Sequence, residues 1–409
     1  MRVIVHIGME KTGTTTIQAL LYRNRETLAE RGFHVLRCAG RSNHRAIPSY
    51  CMRANRRDDY LRNRLVDNPE KRESFREKLR EEFIHEIDSL DGHLHTVLIT
   101  SEHFHSLLEH QDELETLREL LQVCFSDIRI LVYLREQVDT VLSRYSTAIK
   151  AGRTKELDIF LDTCRADSGF YNYDMMLARW EQVFGQERIE VALFSRQDFI
   201  AQDLVTDFLS RIDPSLVGAL DTEIETENES LNSLGQTIGR AINLAFPSFE
   251  DSVGINPLRT RLMDINYRRF RGRGESIARE KRELLSDQFK AGNEAIRKRY
   301  FPDRDHLFAT PTEKPQSAAD EKDLAPALME MFQLVLADNY VVPQRYVDIF
   351  RDAAVILEKH DLDLAYELMN LAHRMRPDGP FIKARRNEYL KRGVSSDPKL
   401  PTGPKKGKT

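Results

Sequence analysis

Short runs of uninterrupted apolar residues alternate, over the first half of the chain, with longer stretches whose apolar positions recur every three or four residues. The runs RVIVHI (2–7), TVLIT (96–100), IRILVYL (128–134) and IEVALF (189–194) read as strands buried on both faces, and FHVLR (33–37) as a weaker fifth. Helical periodicity separates them over 14–31, 70–90, 111–124, 137–150, 173–184 and 198–211. Strands that alternate with helices predict an α/β fold, an open parallel sheet flanked by helices on both faces. In such sheets a ligand lies beyond the carboxyl ends of the strands, so the residues that follow each strand are where chemistry is sought.

From about residue 225 the pattern becomes helical and highly charged. The arginine-rich run RTRLMDINYRRFRGRGESIAREKR (259–282) reads as a solvated helical surface. ATPTEKPQSAAD opens a segment, 309–325, of linker composition. A helical appendage is predicted over 326–393, with apolar stripes from Ala353, Leu357, Leu364, Leu368 and Leu371. It resembles one tetratricopeptide-like hairpin; a solenoid needs about three repeats, so an appendage is expected instead. The tail 394–409 has the composition of a disordered segment.

Bulk properties narrow the class. At 409 residues, with 41% hydrophobic and 31% charged residues, the chain suits one large folded domain plus an accessory piece. A net charge of -4 gives no general attraction to nucleic acid or anionic membrane. Cys38, Cys51, Cys124 and Cys164 are scattered, without metal spacing or a C-x-x-C pair, and are expected to be reduced structural thiols. No transmembrane segment is expected. The first apolar run is only about five residues and is followed at once by glycine and charge, so no signal peptide is expected and the expected location is cytoplasmic.

The first strand ends in GMEKTGTTT, where Gly8 and Gly13 bracket Lys11 and Thr12 and are followed by Thr14, Thr15 and Thr16. A glycine-containing loop at a helix N-terminus presents free N–H groups and the positive end of the helix dipole to an anion. A lysine and several hydroxyls make it a phosphate cradle. It is not a Walker A loop, because Lys11 precedes the second glycine, and the strand 128–134 is followed by Arg135, not by a magnesium-binding aspartate. Arg135 is suited to grip two phosphate oxygens, and Ser143, eight residues on, can add a hydroxyl.

Together, Lys-Thr-Gly-Thr-Thr after the first strand and Arg-x7-Ser after a later one resemble the sulfotransferases that use 3′-phosphoadenylyl sulfate (PAPS), in the form common among bacterial carbohydrate and polysaccharide sulfotransferases. The resemblance extends through ITSEHFHS and YNYDMMLARWEQVFGQERIEVALFSRQDF, and implies a P-loop-like sulfotransferase domain over 1–308. It implies that Lys11 contacts the bridging oxygen of the donor, and that Thr12, Gly13, Thr14 and Thr15 bind its 5′-phosphate. Thr16 stands at a position that is often small in relatives. Arg135 and Ser143 would bind the 3′-phosphate, and adenosine 3′,5′-bisphosphate would be the product, with no metal required. The acceptor would be a carbohydrate, polysaccharide or glycolipid hydroxyl.

Its base is expected among the residues after TVLIT: Glu102 first, then His103, with His44 in the RSNHRAIPSY loop able to orient the acceptor or act as base. Tyr171 and Tyr173 could stack on adenine, though core packing is the commoner role for such residues. A P-loop kinase and a non-catalytic nucleotide-binding scaffold are the alternatives.

Overall fold

The structure is a computed structural model that describes residues 1–223, 230–247, 249–250, 254–309, 324–337 and 344–394. The expected linker and tail lie, apart from their edge residues, outside the described residues. The chain divides into two compact units, one of residues 1–147, 155–230 and 274–316, the other of residues 148–154, 231–273 and 317–409. Residues 231–273 therefore cluster with the C-terminal helices.

The first unit is built on five parallel strands: β1 (Arg2–Ile7), β2 (Phe33–Val35), β3 (Thr96–Ser101), β4 (Asp127–Leu134) and β5 (Ile189–Leu193). Their order is β2-β3-β1-β4-β5, which makes the sheet open, parallel and P-loop-like, with β1 central. The chain leaves β1 toward one edge and returns to the other side of it at β4, so the loops after β1 and β4 meet at the point where strand order reverses.

Side chains divide by the two-residue period of a strand. Val3, Val5 and Ile7 of β1 pack on one face with Val97 and Ile99, while Ile4 packs on the other with Leu98, Leu131 and Tyr133. The first face is covered by helices α2 (Pro69–Asp88), α4 (Gln111–Gln122) and α6 (Tyr173–Phe184), through residues such as Phe83, Leu117 and Trp180. The opposite face is covered by α1 (Thr14–Arg23) and α7 (Leu204–Ile212), through Ile17, Leu20 and Phe208. Between these lie two helices that matter for the site, α3 (His103–Leu107) and α5 (Gln137–Lys150).

Four boundaries depart from the periodicity, three for visible reasons. The expected helix 14–31 breaks at Asn24 into Thr14–Arg23 and Arg25–Glu30. The Asn24 amide donates to the carbonyls of Leu20 and Asp221 and accepts the Asp221 N–H, turning the chain to satisfy a distant segment. The strand expected over 33–37 ends at Val35 because Glu86 accepts the N–H groups of both Arg37 and Cys38 at 2.7 Å. The helix expected from 198 starts at Leu204, after a left-handed Ala201 (φ 52°) and with the Asp203 carboxylate capping the Thr206 N–H. The short helix Ala46–Cys51 has no periodic run long enough to announce it.

In the second unit, helices Gln344–Leu357, Leu362–Met375 and Pro380–Lys391 share a core that includes Phe350, Leu368, Met369 and Tyr389. The arginine-rich run is extensively paired: Arg259 with Asn243, Arg268 and Arg269 with Glu330 and, in the first unit, Lys281 with Asp158. Cys38, Cys51, Cys124 and Cys164 are unbridged. Among the described residues no helix is long and apolar enough to cross a membrane.

Three histidines of the first unit are buried as neutral rings. Burial pushes His6 and His105 down to about 3 and His44 down to about 4, from 6.5. Each takes up a proton on unfolding once the pH is below 6.5, so the stability it confers is complete above that pH and is lost as pH falls toward 4 for His44 and toward 3 for His6 and His105. The slope approaches about 1.4 kcal/mol per pH unit for each ring. His105 packs on Phe170 with ring centroids 4.3 Å apart. Urea unfolding of His105→Phe is expected to show a shallower loss of stability across this window than the parent, by about one proton; identical slopes would refute the assignment.

Candidate active site

The loop after β1 is folded tightly. A Cβ on Gly8 would lie 2.2 Å from Thr14 Cγ2 and 3.2 Å from the Glu102 nitrogen, so only glycine fits where the strand end passes between α1 and the end of β3. Lys11 and Gly13 both have φ of 70°. For lysine this left-handed conformation costs about 1 kcal/mol, which the surrounding contacts must overcome. Gly13 serves as the N-cap of α1, no side chain caps the helix, and its first turn carries no acidic residue. Among the described residues, the N–H groups of Thr14, Thr15 and Thr16 thus form the uncapped positive end of a ten-residue helix.

The threonines divide into two roles. Thr12 and Thr14 are buried, and both hydroxyls donate to the Met9 carbonyl, at 2.7 and 3.0 Å. They therefore fasten the loop to itself, a different use of the hydroxyl from direct donation to a phosphate. Thr15 is exposed and Thr16 half-buried, so their hydroxyls are on the accessible side.

Across the strand-order reversal, Arg135 donates through Nη1 to the Lys11 carbonyl at 2.9 Å, and its guanidinium lies 5.6 Å from the Phe194 ring centroid. The loops after β1 and β4 are thereby joined at the carboxyl edge of the sheet. Burial pushes the Lys11 amine below its ordinary value; Glu10 opposes this, while Arg135 and Arg144 add to it. Burial likewise lowers Arg135. Arg144 was not singled out by the sequence pattern, although it adjoins Ser143. It pairs with Glu10 at 2.7 Å, donates to the Tyr171 hydroxyl at 2.7 Å and stacks on Phe170 at 3.8 Å. Ser143 is half-buried on α5 and has no hydrogen bond to Arg135 or to the loop among the described residues. Tyr171 and Tyr173 are core residues, each 1% exposed.

The parallel register pairs Ile7 with Ser101, and Gly8 N–H donates to the Ser101 carbonyl, so Glu102 emerges beside the loop. The Glu102 carboxylate is held on both oxygens: Oε1 by Asn43 Nδ2 at 2.8 Å and Oε2 by Gln18 Nε2 at 2.9 Å. His103 Nε2 lies 3.5 Å from Oε1. Burial lowers the His103 pKa, with Glu102 opposing the shift.

His44 is held by backbone groups. It is fully buried, its Nδ1 accepts the Thr100 N–H at 2.8 Å, and its protonated Nε2 donates to the Leu36 carbonyl at 2.7 Å. Both ring nitrogens are thus committed to backbone. It clamps the loop after β2 to β3, which brings the adjacent Asn43 to Glu102. Asn43 and Gln18 gave no chemical signal in the sequence, because an amide is recognised as part of a site only by what it faces.

No family model matches the chain. An uncharacterized protein from Archaeoglobus fulgidus is 25% identical over 250 residues, 59% of this chain and 64% of the relative, so the chain spans about 64% of the length of the curated relative it matches. A sulfotransferase from Alicyclobacillus acidocaldarius, known from its crystal structure, aligns with a TM-score of 0.33 and 14% identity, over 55% of this chain and 85% of that chain.

The two threonine roles separate experimentally. Thr12→Val removes a buried hydrogen bond and is expected to lower unfolding free energy by about 1 kcal/mol. Thr15→Val, at an exposed position, is expected to change it by less than about 0.5 kcal/mol. Equal effects in denaturant titrations would show that the loop is not held by Thr12.

Proposed function

We propose that this chain transfers a sulfuryl group from PAPS to a hydroxyl of a carbohydrate, polysaccharide or glycolipid acceptor. The observation that carries this reading is the hydrogen bond between Arg135 and the Lys11 carbonyl, which unites the two sequence elements of the resemblance at one sheet edge. Two anion-binding elements so close together suit a nucleotide with separate 5′ and 3′ charges better than one with a single phosphate chain. Further support comes from the uncapped α1 N-terminus, the half-buried Lys11 with its lowered amine pKa and a carboxylate, Glu102, beside the same loop.

In this reading the acceptor oxygen attacks sulfur in line, the bond from sulfur to the bridging phosphate oxygen breaks, and the acceptor proton passes to Glu102. Lys11 donates to the oxygen that gains charge. A lysine made more acidic by burial is a stronger hydrogen-bond donor than one in water, and that bond grows as the leaving group forms. The first-turn N–H groups of α1, together with the Thr15 and Thr16 hydroxyls, hold the 5′-phosphate, and Arg135 with Ser143 takes the 3′-phosphate. His103, 3.5 Å from the Glu102 carboxylate, is the runner-up base.

Calorimetric titration is expected to show tighter binding of adenosine 3′,5′-bisphosphate than of ATP; the reverse preference would favour a kinase. Lys11→Ala should lower transfer by about 100- to 1,000-fold without unfolding the protein. Arg135→Ala should weaken the 3′-phosphorylated nucleotide by about 10- to 100-fold. Radiolabelled PAPS incubated with fractionated extract of the producing cell would identify the acceptor. Tight nucleotide binding with no labelled product would point to a scaffold instead.

A further inference from the structure

The Glu102 carboxylate is held in a manner that a surface acid does not require. Its two oxygens accept from amides that come from separate elements, Gln18 on α1 and Asn43 on the loop after β2. The Asn43 amide has a fixed orientation. Ser101 Oγ accepts the His103 N–H at 3.2 Å and turns its own proton to Asn43 Oδ1 at 2.7 Å, which leaves Nδ2 facing the carboxylate. Behind it, His44 locks the loop to β3. Gln18 is four residues after Thr14 and three after Thr15, on the same face of α1 and about one turn, ~5.4 Å, further along. The helix whose first turn would hold the donor phosphate thus also grips the carboxylate.

We propose that Gln18 and Asn43 are positioning residues for sulfuryl transfer, acting through Glu102. Gln18 sets the spacing between donor cradle and base, and Asn43 sets the plane of the carboxylate. Oε1 faces both Asn43 and His103, so the lone pair left on Oε2 is the one directed at the acceptor proton. The inference rests on the sulfuryl-transfer reading above.

The test is a pair of double-mutant cycles on the full chain, with radiolabelled PAPS as donor and fractionated extract of the producing cell as the source of acceptor. Gln18→Met and Asn43→Leu are each expected to lower kcat by about 10- to 100-fold. KM for PAPS and the affinity for adenosine 3′,5′-bisphosphate should stay within about 2-fold of the parent. In a Glu102→Gln background the same substitutions should cost less than about 2-fold more, because what they position is gone. A loss that persists in full in that background, or nucleotide affinity that falls in parallel with kcat, would overturn the proposal.

Should the apolar variants fail to fold, Gln18→Ser and Asn43→Ser stay polar and uncharged, are too short to reach the carboxylate and carry the same expectations. If the parent labels no product in the extract, the sulfuryl-transfer reading fails and the proposal falls with it. If Glu102→Gln lowers turnover but neither amide substitution does, this proposal alone fails.

Discussion

The register of β1 between β3 and β4 is the constraint on which the site depends. Ile7 pairs with Ser101 on one side and with Val132 on the other. Parallel strands in that register end at nearly one level, so the loop from Gly8, the carboxylate at 102 and the arginine at 135 emerge together. A slip of one residue would exchange the faces of Val3, Val5 and Ile7 with those of Ile4 and His6, and both cores resist it. The hydrophobic effect on two faces of the sheet therefore holds polar groups in place that have little affinity for one another.

Those groups form an electrostatic arrangement that favours an anion. Lys11, Arg135 and Arg144 are gathered around one loop with a single carboxylate of that loop, Glu10, and Glu10 is taken by Arg144. Arg135 donates to a carbonyl of the loop, which fixes the guanidinium without cancelling its charge. Desolvated cations near each other are unfavourable until an anion joins them. The backbone is left-handed at both Lys11 and Gly13, a conformation that glycine adopts freely and that costs lysine local strain.

Polar residues around this edge fall into those that shape it and those it presents. Thr12, Thr14 and His44 spend their hydrogen bonds on backbone, and each is buried. Thr15, Glu102 and His103 remain at least partly accessible. Residue type does not separate the groups: threonine and histidine occur in both. The threonine run reads as one chemical unit in the sequence, yet the Met9 carbonyl divides it.

The sequence by itself determined the strands and most of the helices, because burial on both faces leaves long apolar runs, and packing on one face leaves a 3.6-residue period. It also marked the first strand-to-helix turn as the candidate site, since Gly8, Lys11 and Gly13 stand within six residues of one another. The break at Asn24, the early end of β2 at Glu86 and the clamp of Gln18 and Asn43 on Glu102 were decided only by tertiary structure. In each, an uncharged amide or a common carboxylate takes its role from a partner 40 or more residues away. A hydrogen bond between distant residues leaves no periodicity behind, because only the folded chain brings its two ends within 3 Å.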